Sequence, residues 1–122
     1  MPPTNRARGL DISHHRPVKD WGALLHAPER PVIVGIKATE GMKFTDPKLI
    51  EHRKGFRDNP FLLGVYYHFA RSGNVFDQAK RFMEKVGPLE SNERLCLDLE
   101  VSPASSQERA LDWVDAFYHE LM

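Results

Sequence analysis

The feature that most constrains the fold is a regular alternation of short apolar runs with longer segments of helical periodicity. Four short runs, centred on LDIS, VIVGIK, LLGVYYHF and RLCLDLE, have the length of strands, and each is followed by a helical pattern. Strands that alternate with helices favour parallel pairing through right-handed crossovers. The order therefore predicts an α/β fold of about four βα units. This pattern fits half of an eight-stranded, TIM-like (β/α) barrel, and it also fits a small doubly wound sheet.

The boundaries follow from the same pattern. Strands are predicted at about 10–13, 32–37, 62–69 and 94–100, and helices at about 19–26, 46–57, 75–86 and 105–122. Residues 1–8 are polar and contain proline, so they are predicted to form a loose tail ahead of one folded unit over 9–122. Pro47 suits the first turn of the second helix, and Ser105 or Ser106 suits the cap of the last.

The amino-acid composition limits the kinds of partner that the protein is expected to bind. The 122 residues fit one domain, and 17 basic residues balance 17 acidic ones, so neither nucleic acid nor an anionic membrane is expected as a partner. The single cysteine, Cys96, excludes an internal disulfide, and no apolar stretch is long enough to span a membrane. The N-terminus lacks the apolar core of a secretory signal, which leaves the route to any target outside the cytoplasm open.

The segment Leu95–Glu100 carries the most chemical information. Side chains alternate across a strand, so Cys96, Asp98 and Glu100 share one face and the leucines share the other. Two carboxylates would then lie together at the C-terminal end of a parallel strand, where barrels and open α/β sheets place their sites. Charges this close should raise one pKa and give the proton donor that glycoside hydrolysis needs. The spacing equally suits a divalent metal or a solvated strand end.

Asp11 lies in the first predicted strand, on the face opposite to Leu10 and Ile12. If the first and fourth strands line the same mouth, Asp11 adds a third carboxylate; a capping or turn role is the alternative. The histidines show no spacing typical of a zinc site, and Cys96 is interpreted as a packed thiol. No metal or other cofactor is therefore expected.

Four sequence blocks then occur in the order in which one enzyme family carries them. They are GLDISHH from Gly9, IKATEG from Ile36 with Asp46-Pro47 after it, YYHFAR from Tyr66, and LDLE from Leu97. On these blocks the sequence resembles glycoside hydrolase family 25, the DxE muramidases. Trp21 in the first predicted helix and Gln78 in the third also resemble the family. The third block departs from its commonest form by one extra residue before Tyr67. The resemblance covers residues 9 to about 122.

The resemblance implies a peptidoglycan hydrolase that cleaves the β-1,4 bond between N-acetylmuramic acid and N-acetylglucosamine, and that acts on the cell wall without a cofactor. It implies that Glu100 is the general acid, and that Asp98 and Asp11 support the reaction centre and orient the substrate. The nucleophile would be the N-acetyl group of the substrate, an exception to the two-carboxylate retaining scheme.

Lys37 and Tyr67 match strand-end positions that line the sugar groove of the family. From the residues alone, a solvated cation at Lys37 and a core aromatic at Tyr67 remain the alternatives. Glu40 is expected in a loop, with a structural role.

The later strands of the family's domain have no counterpart in this sequence, so a partial muramidase catalytic domain over 9–122 is expected. Open strand edges in such a fragment favour self-association. Two other functions remain open. One is a cell-wall-binding or structural module without turnover. The other is a magnesium-dependent phosphoesterase that uses Asp11, Asp98 and Glu100 as oxygen ligands.

Overall fold

A computed structural model of the chain describes residues 8–59 and 61–122. Within these residues the elements follow one another as β1 (Gly9–Ile12), α1 (Trp21–His26), β2 (Ile33–Glu40), β3 (Phe44–Thr45), α2 (Leu49–Arg57), β4 (Leu63–Phe69), α3 (Val75–Val86), β5 (Glu93–Asp98) and α4 (Gln107–Leu121). None of the described helices is long and apolar enough to cross a bilayer.

Four strands form a parallel sheet in the order β1-β2-β4-β5, which is also their order along the chain once β3 is set aside. The prediction of parallel βα units is therefore confirmed. The two-residue strand β3 was not predicted. It pairs antiparallel with the end of β2, where Thr39 is opposite Thr45 and Glu40 is opposite Phe44.

The helices and the sheet share one apolar core. It contains Val34, Ile36 and Tyr66 from the sheet, Phe56 from α2, Phe82 from α3 and Phe117 from α4. Gly64 lies where the Phe56 ring approaches the sheet, because a β-carbon at Gly64 would lie 2.7 Å from that ring. Side chains alternate across a strand, so Val65 and Tyr67 point to the opposite face.

Several boundaries differ from the predictions, each for a local physical reason. The strand β2 runs on to Glu40 instead of ending at Lys37, because it hydrogen-bonds to β4 on one side and to β3 at its end. The predicted loop over 38–45 is therefore largely strand and turn. The helix α2 begins only at Leu49, so Pro47 precedes it. Asp46 closes the turn before the helix by accepting from the Lys48 backbone amide at 2.8 Å.

The ends of the chain also differ in part. Residues 1–7 of the predicted tail lie outside the described residues, but the Arg8 carbonyl accepts backbone hydrogen bonds from Val32 and Ile33. Ser106 caps α4, as expected, by accepting from the Arg109 backbone amide at 3.2 Å. The last strand ends at Asp98, so Glu100 lies two residues beyond it.

A buried carboxylate ties the start of β5 to its neighbours. The Glu93 side chain is 1% exposed and accepts two hydrogen bonds from the Arg57 guanidinium of α2, at 2.8 and 3.0 Å. The Tyr66 hydroxyl of β4 donates a third at 2.7 Å. Burial alone would raise the pKa of Glu93, but these hydrogen bonds lower it below its usual value of 4.5. The ion pair and the Tyr66 hydrogen bond therefore hold α2, β4 and the start of β5 together.

We expect Glu93→Gln to lower the free energy of unfolding by about 2 kcal/mol at pH 7, because it removes the buried carboxylate of the Arg57 ion pair and leaves only the exposed Glu90. Since the folded-state pKa of Glu93 is lowered, its contribution to stability is present above pH 4.5 and is lost as the pH falls through that lower pKa. Urea unfolding at several pH values measures both effects. Glu84→Gln is the matched control, because that carboxylate is exposed on α3 and lies outside the Arg57 network. Equal stabilities of the Glu93→Gln variant and the parent at pH 7 would contradict the assignment.

Candidate active site

The face of the sheet opposite the helix core lines an open cavity of about 580 Å³. Asp11 of β1, Tyr67 of β4, Asp98 at the end of β5 and Glu100 just after it all contribute to its wall. Because neighbouring strands lie about 4.8 Å apart, the first and last strands of this sheet are roughly 14 Å apart along its surface. The structure nevertheless places carboxylates from both strands around one cavity, as the sequence predicted.

Asp98 and Glu100 form the chemically unusual pair. Their carboxyl groups share a hydrogen bond, and the pKa of Asp98 is raised from 3.8 to about 7. Burial contributes most to this shift, followed by the hydrogen bond and the negative charge of Glu100, and then by the charge of Asp11. The predicted raised pKa therefore falls on Asp98. Near neutral pH a large fraction of the Asp98 carboxyl groups therefore carries a proton, next to the Glu100 side chain.

Asp11 owes its position to a missing side chain on the neighbouring strand. Asp11 and Gly35 are Cα partners in the parallel ladder between β1 and β2. A β-carbon at Gly35 would lie only 2.3 Å from the Asp11 Oδ1 atom. A larger residue at position 35 would therefore displace the carboxylate. The absence of a side chain at Gly35 leaves room for the Asp11 carboxylate over the sheet. The strand propensities of the residues in β2 give no indication of this contact.

Tyr67 lies between the two acidic strands and is partly buried. Burial, and then the negative charges of Asp11 and Asp98, raise the pKa of its phenol well above the usual value of 10. The side chain therefore stays protonated at physiological pH and presents a ring and a hydroxyl to the cavity. Its place in the cavity wall differs from that of a core aromatic, the alternative left open by the sequence.

Lys37 is in β2, and its position differs from that of a solvated cation. The side chain is 10% exposed, and its Nζ atom donates to the Glu40 Oε1 atom at 2.6 Å. The ammonium also lies 5.3 Å from the centre of the Phe69 ring and 5.4 Å from that of Phe44. Its charge opposes the rise in the pKa of Asp98. Lys37 thus lies close enough to affect the charge of Asp98, but it is not among the residues that line the acidic cavity, and its ammonium is bound by Glu40.

Glu40 was expected in a loop, and that expectation was wrong. It is the last residue of β2, and its carboxylate bridges Lys37 and Arg71. In a regular strand, residues three positions apart point to opposite faces. The register between β2 and β4 shifts by one residue between Lys37 and Thr39, and this bulge brings Glu40 to the face that carries Lys37. The sequence pattern contains no signal for the bulge.

The histidines are held by hydrogen bonds. His14 approaches Asp46 through both its backbone amide and its ring, each at 3.0 Å. His68 is fully buried between Thr39 and Gln78, with contacts of 2.7 and 2.8 Å, and burial lowers its pKa. Within 8–59 and 61–122, no three His, Cys, Asp or Glu side chains are grouped so that they could hold a metal ion.

Two interacting carboxyl groups at the C-terminal end of a parallel strand, one with a raised pKa, have the chemistry that acid-catalysed cleavage of a glycosidic bond requires. The family model described as glycosyl hydrolases family 25 matches residues 10–122. Because this match covers nearly the whole chain, the chain belongs to that family.

Curated and solved relatives agree with this assignment. The chain is 26% identical over 121 residues to YegX of Escherichia coli strain K12, covering 93% of this chain and 44% of YegX. It is 26% identical over 99 residues to the autolytic lysozyme of Clostridium acetobutylicum, covering 81% of this chain and 30% of that enzyme. The structure of a muramidase from Trichobolus zukalii matches with a TM-score of 0.80 and 29% identity, over 94% of this chain and 59% of that one. The chain thus spans less than half the length of these curated relatives.

We expect Glu100→Gln to lower the pKa of Asp98 from about 7, because the amide removes the neighbouring negative charge and can donate to the Asp98 carboxylate. Only part of the shift should disappear, since burial is its largest cause. Carboxyl carbon chemical shifts followed by NMR over a pH titration measure the change. Glu51→Gln, at an exposed position on α2, is the control. An unchanged Asp98 titration in the Glu100→Gln chain would show that the two carboxyl groups are not coupled.

Proposed function

We propose that this chain provides the acid–base machinery of a muramidase, which hydrolyses the β-1,4 bond between N-acetylmuramic acid and N-acetylglucosamine in peptidoglycan strands. The observation that supports it most is the meeting of Asp11, Asp98 and Glu100 in one cavity, where burial and the neighbouring Glu100 raise the pKa of Asp98 to about 7. Membership of the family and the similarity to a lysozyme and a muramidase support the same reaction.

In the proposed mechanism Glu100 gives its proton to the oxygen of the scissile bond. Glu100 is exposed at the cavity mouth, whereas Asp98 is partly buried behind it, so Glu100 is the partner that a glycan reaches. Before the transfer Asp98 holds this proton in its hydrogen bond with Glu100, and after it the negative charges of Asp98 and Asp11 stabilise the positive charge that develops on the sugar ring. Glu100 then takes a proton from the water that opens the cyclised intermediate, which returns the pair to its starting state. The N-acetyl group of the substrate is the nucleophile, so neither carboxylate needs to lie across the ring.

Tyr67 and Lys37 have different proposed parts in substrate binding. The Tyr67 ring lies between the two acidic strands, where it can pack against a sugar face. Lys37 does not line the cavity and Glu40 neutralises its charge, so it supports the groove indirectly, through Glu40 and the Phe69 ring. The proposed reaction uses no metal or other cofactor, and lysis should continue in the presence of a chelator.

We further propose that the four parallel strands form half of a (β/α) barrel. Two observations support this. The helices contribute to a core on only one face of the sheet, and side chains from its first and last strands line a common cavity on the other. In such a barrel the cavity lies along the inner face of the strands, and Asp98 and Glu100 lie at the C-terminal end of β5, the end at which barrel enzymes place their active sites.

We expect Glu100→Gln to reduce the release of reducing ends from purified cell walls by roughly 10²–10⁴-fold, the usual contribution of a general acid. Asp98→Asn should also impair turnover, because it removes the carboxyl group that holds the proton beside Glu100. Glu51→Gln, outside the cavity, should leave turnover unchanged. Equal lysis by the parent and the Glu100→Gln variant would refute the catalytic assignment.

A wall-binding module without turnover is the second candidate, because the chain spans only 59% of the Trichobolus muramidase. Co-sedimentation with insoluble walls distinguishes the two. If the parent binds walls but releases no reducing ends with or without a chelator, the binding module is the better description.

Self-association of the isolated chain is a separate proposal. Among the described residues, β1 and β5 each pair with a single neighbouring strand. Leu99, Val101 and Leu111 are 40–59% exposed near the outer edge of β5. The Tyr118 hydroxyl blocks part of that edge, where it accepts from the Leu97 backbone amide at 3.0 Å. Open edges and exposed apolar side chains of this kind favour association.

We expect the isolated 122-residue chain to sediment faster than a 14.0 kDa monomer at micromolar concentrations. Leu111→Lys should reduce the association, because it places a charge within the exposed apolar group, and Lys80→Gln on α3 serves as the control. Sedimentation velocity at several concentrations measures the effect. A concentration-independent monomer would contradict the proposal.

A further inference from the structure

A second charged cluster lies at the C-terminal ends of β2 and β4, where Phe69 is the Cα partner of Asp98, and the proposed mechanism does not use it fully. Its members are Lys37, Glu40, Phe69 and Arg71, which we call the Glu40 cluster. The Arg71 Nε and Nη2 atoms lie 3.1 and 3.0 Å from the Glu40 Oε2 atom, while Lys37 holds the other carboxylate oxygen. The Arg71 guanidinium lies 4.8 Å from the centre of the Phe69 ring. Two cations and one anion leave the cluster with a net positive charge.

The two cations, Lys37 and Arg71, differ in how far their side chains are exposed to solvent. The Lys37 side chain is 10% exposed, whereas that of Arg71 is 50% exposed. A guanidinium has five N–H donors, and the contacts to Glu40 use only part of that set. Burial alone would raise the pKa of Glu40, but the hydrogen bonds from Lys37 and Arg71 lower it, so the carboxylate stays ionised and holds Arg71 in place. Arg71 is thus an oriented cation that faces solvent.

The backbone on either side of Arg71 is fixed as well. The Gln78 side chain of α3 donates to the Arg71 carbonyl at 2.9 Å, and its oxygen contacts the buried His68 ring at 2.8 Å. On the other side, the Ala70 backbone amide donates to the Asp98 carbonyl at 3.0 Å. Arg71 therefore leaves the sheet directly beside the strand end that carries the reacting pair. The guanidinium is pre-oriented on a rigid support, which lowers the entropy lost when it binds a ligand.

We propose that Arg71 binds a carboxylate of the muramyl residue in the glycan, and thereby selects muramyl-containing strands over polymers of N-acetylglucosamine alone. This inference rests on the proposed function and deepens it. An arginine fork matches the planar geometry of a carboxylate. N-acetylmuramic acid carries a lactyl carboxyl group, which is free when the strand has lost its stem peptide. In peptide-bearing strands the carboxylates of the stem peptide supply the same chemistry. N-acetylglucosamine carries neither.

The test measures binding separately from turnover. The Glu100→Gln chain, with and without Arg71→Gln, is titrated with three probes: peptide-free muramyl oligosaccharides, peptide-bearing muropeptides, and N-acetylglucosamine oligomers of equal length. We expect Arg71→Gln to weaken binding of muramyl probes roughly tenfold, the usual effect of losing a charge-assisted hydrogen bond, and to leave the third probe unaffected. A loss confined to peptide-free probes assigns the lactyl carboxylate, and a loss confined to muropeptides assigns the stem peptide.

Matched variants exclude a structural explanation. Arg71→Lys keeps the charge but loses the fork, so it should recover part of the affinity, and Arg109→Gln removes an exposed guanidinium of α4 and should change nothing. Thermal unfolding checks that each variant is folded. Equal weakening of all three probes by Arg71→Gln, no weakening of any, or no measurable binding of muramyl probes by the Glu100→Gln chain would each overturn the inference. If Arg71→Gln weakens the binding of muramyl probes alone but the parent chain releases no reducing ends, the proposed role of Arg71 is supported and the proposed turnover is rejected.

Discussion

The alternation of side chains across the parallel sheet is the constraint on which the other features depend. One face is apolar and is covered by side chains from all four described helices, including Phe56, Phe82 and Phe117. This packing uses the apolar side chains on one face of each strand. The side chains on the other face therefore do not need to pack against the helices. Charged and aromatic groups can therefore collect on the free face without the cost of breaking a core. The acidic cavity and the Glu40 cluster both lie on that face or at its edge.

Two networks of buried polar groups lie within the helix-covered face. Glu93 is neutralised by Arg57 and accepts from Tyr66, so its burial creates no isolated charge. His68 joins Thr39 to Gln78, and Gln78 fixes the turn after β4. The first network holds the start of β5 and the second holds the end of β4. The start of β5 and the end of β4 are thus positioned by side chains that do not line the cavity.

Much of this could be predicted from the sequence, because it depends on local periodicity. The strand and helix order, the bounds of α3 and the facing of Asp98 and Glu100 into one cavity all follow from apolar spacing and from alternation along a strand. Features that depend on contacts between distant segments could not be predicted in this way. The bulge in β2 changes the facing of Glu40, and the partnership of Glu40 with Arg71 spans 31 residues. The assignment of the raised pKa to Asp98 also required the relative burial of the two carboxyl groups, which periodicity does not give.

Gly35 limits how this surface can change over evolutionary time. The space above Gly35 is filled by the Asp11 carboxylate, with 2.3 Å between Oδ1 and the point where a β-carbon would begin. Positions 11 and 35 therefore form a pair in which a gain of volume at one requires a loss at the other. A descendant that kept the aspartate would be confined to glycine in the middle of β2, despite the weak strand propensity of that residue. A descendant released from the need for the aspartate could recover a β-branched residue there and stabilise its sheet. The residue at position 35 of a related protein therefore indicates whether that protein still uses the Asp11 carboxylate.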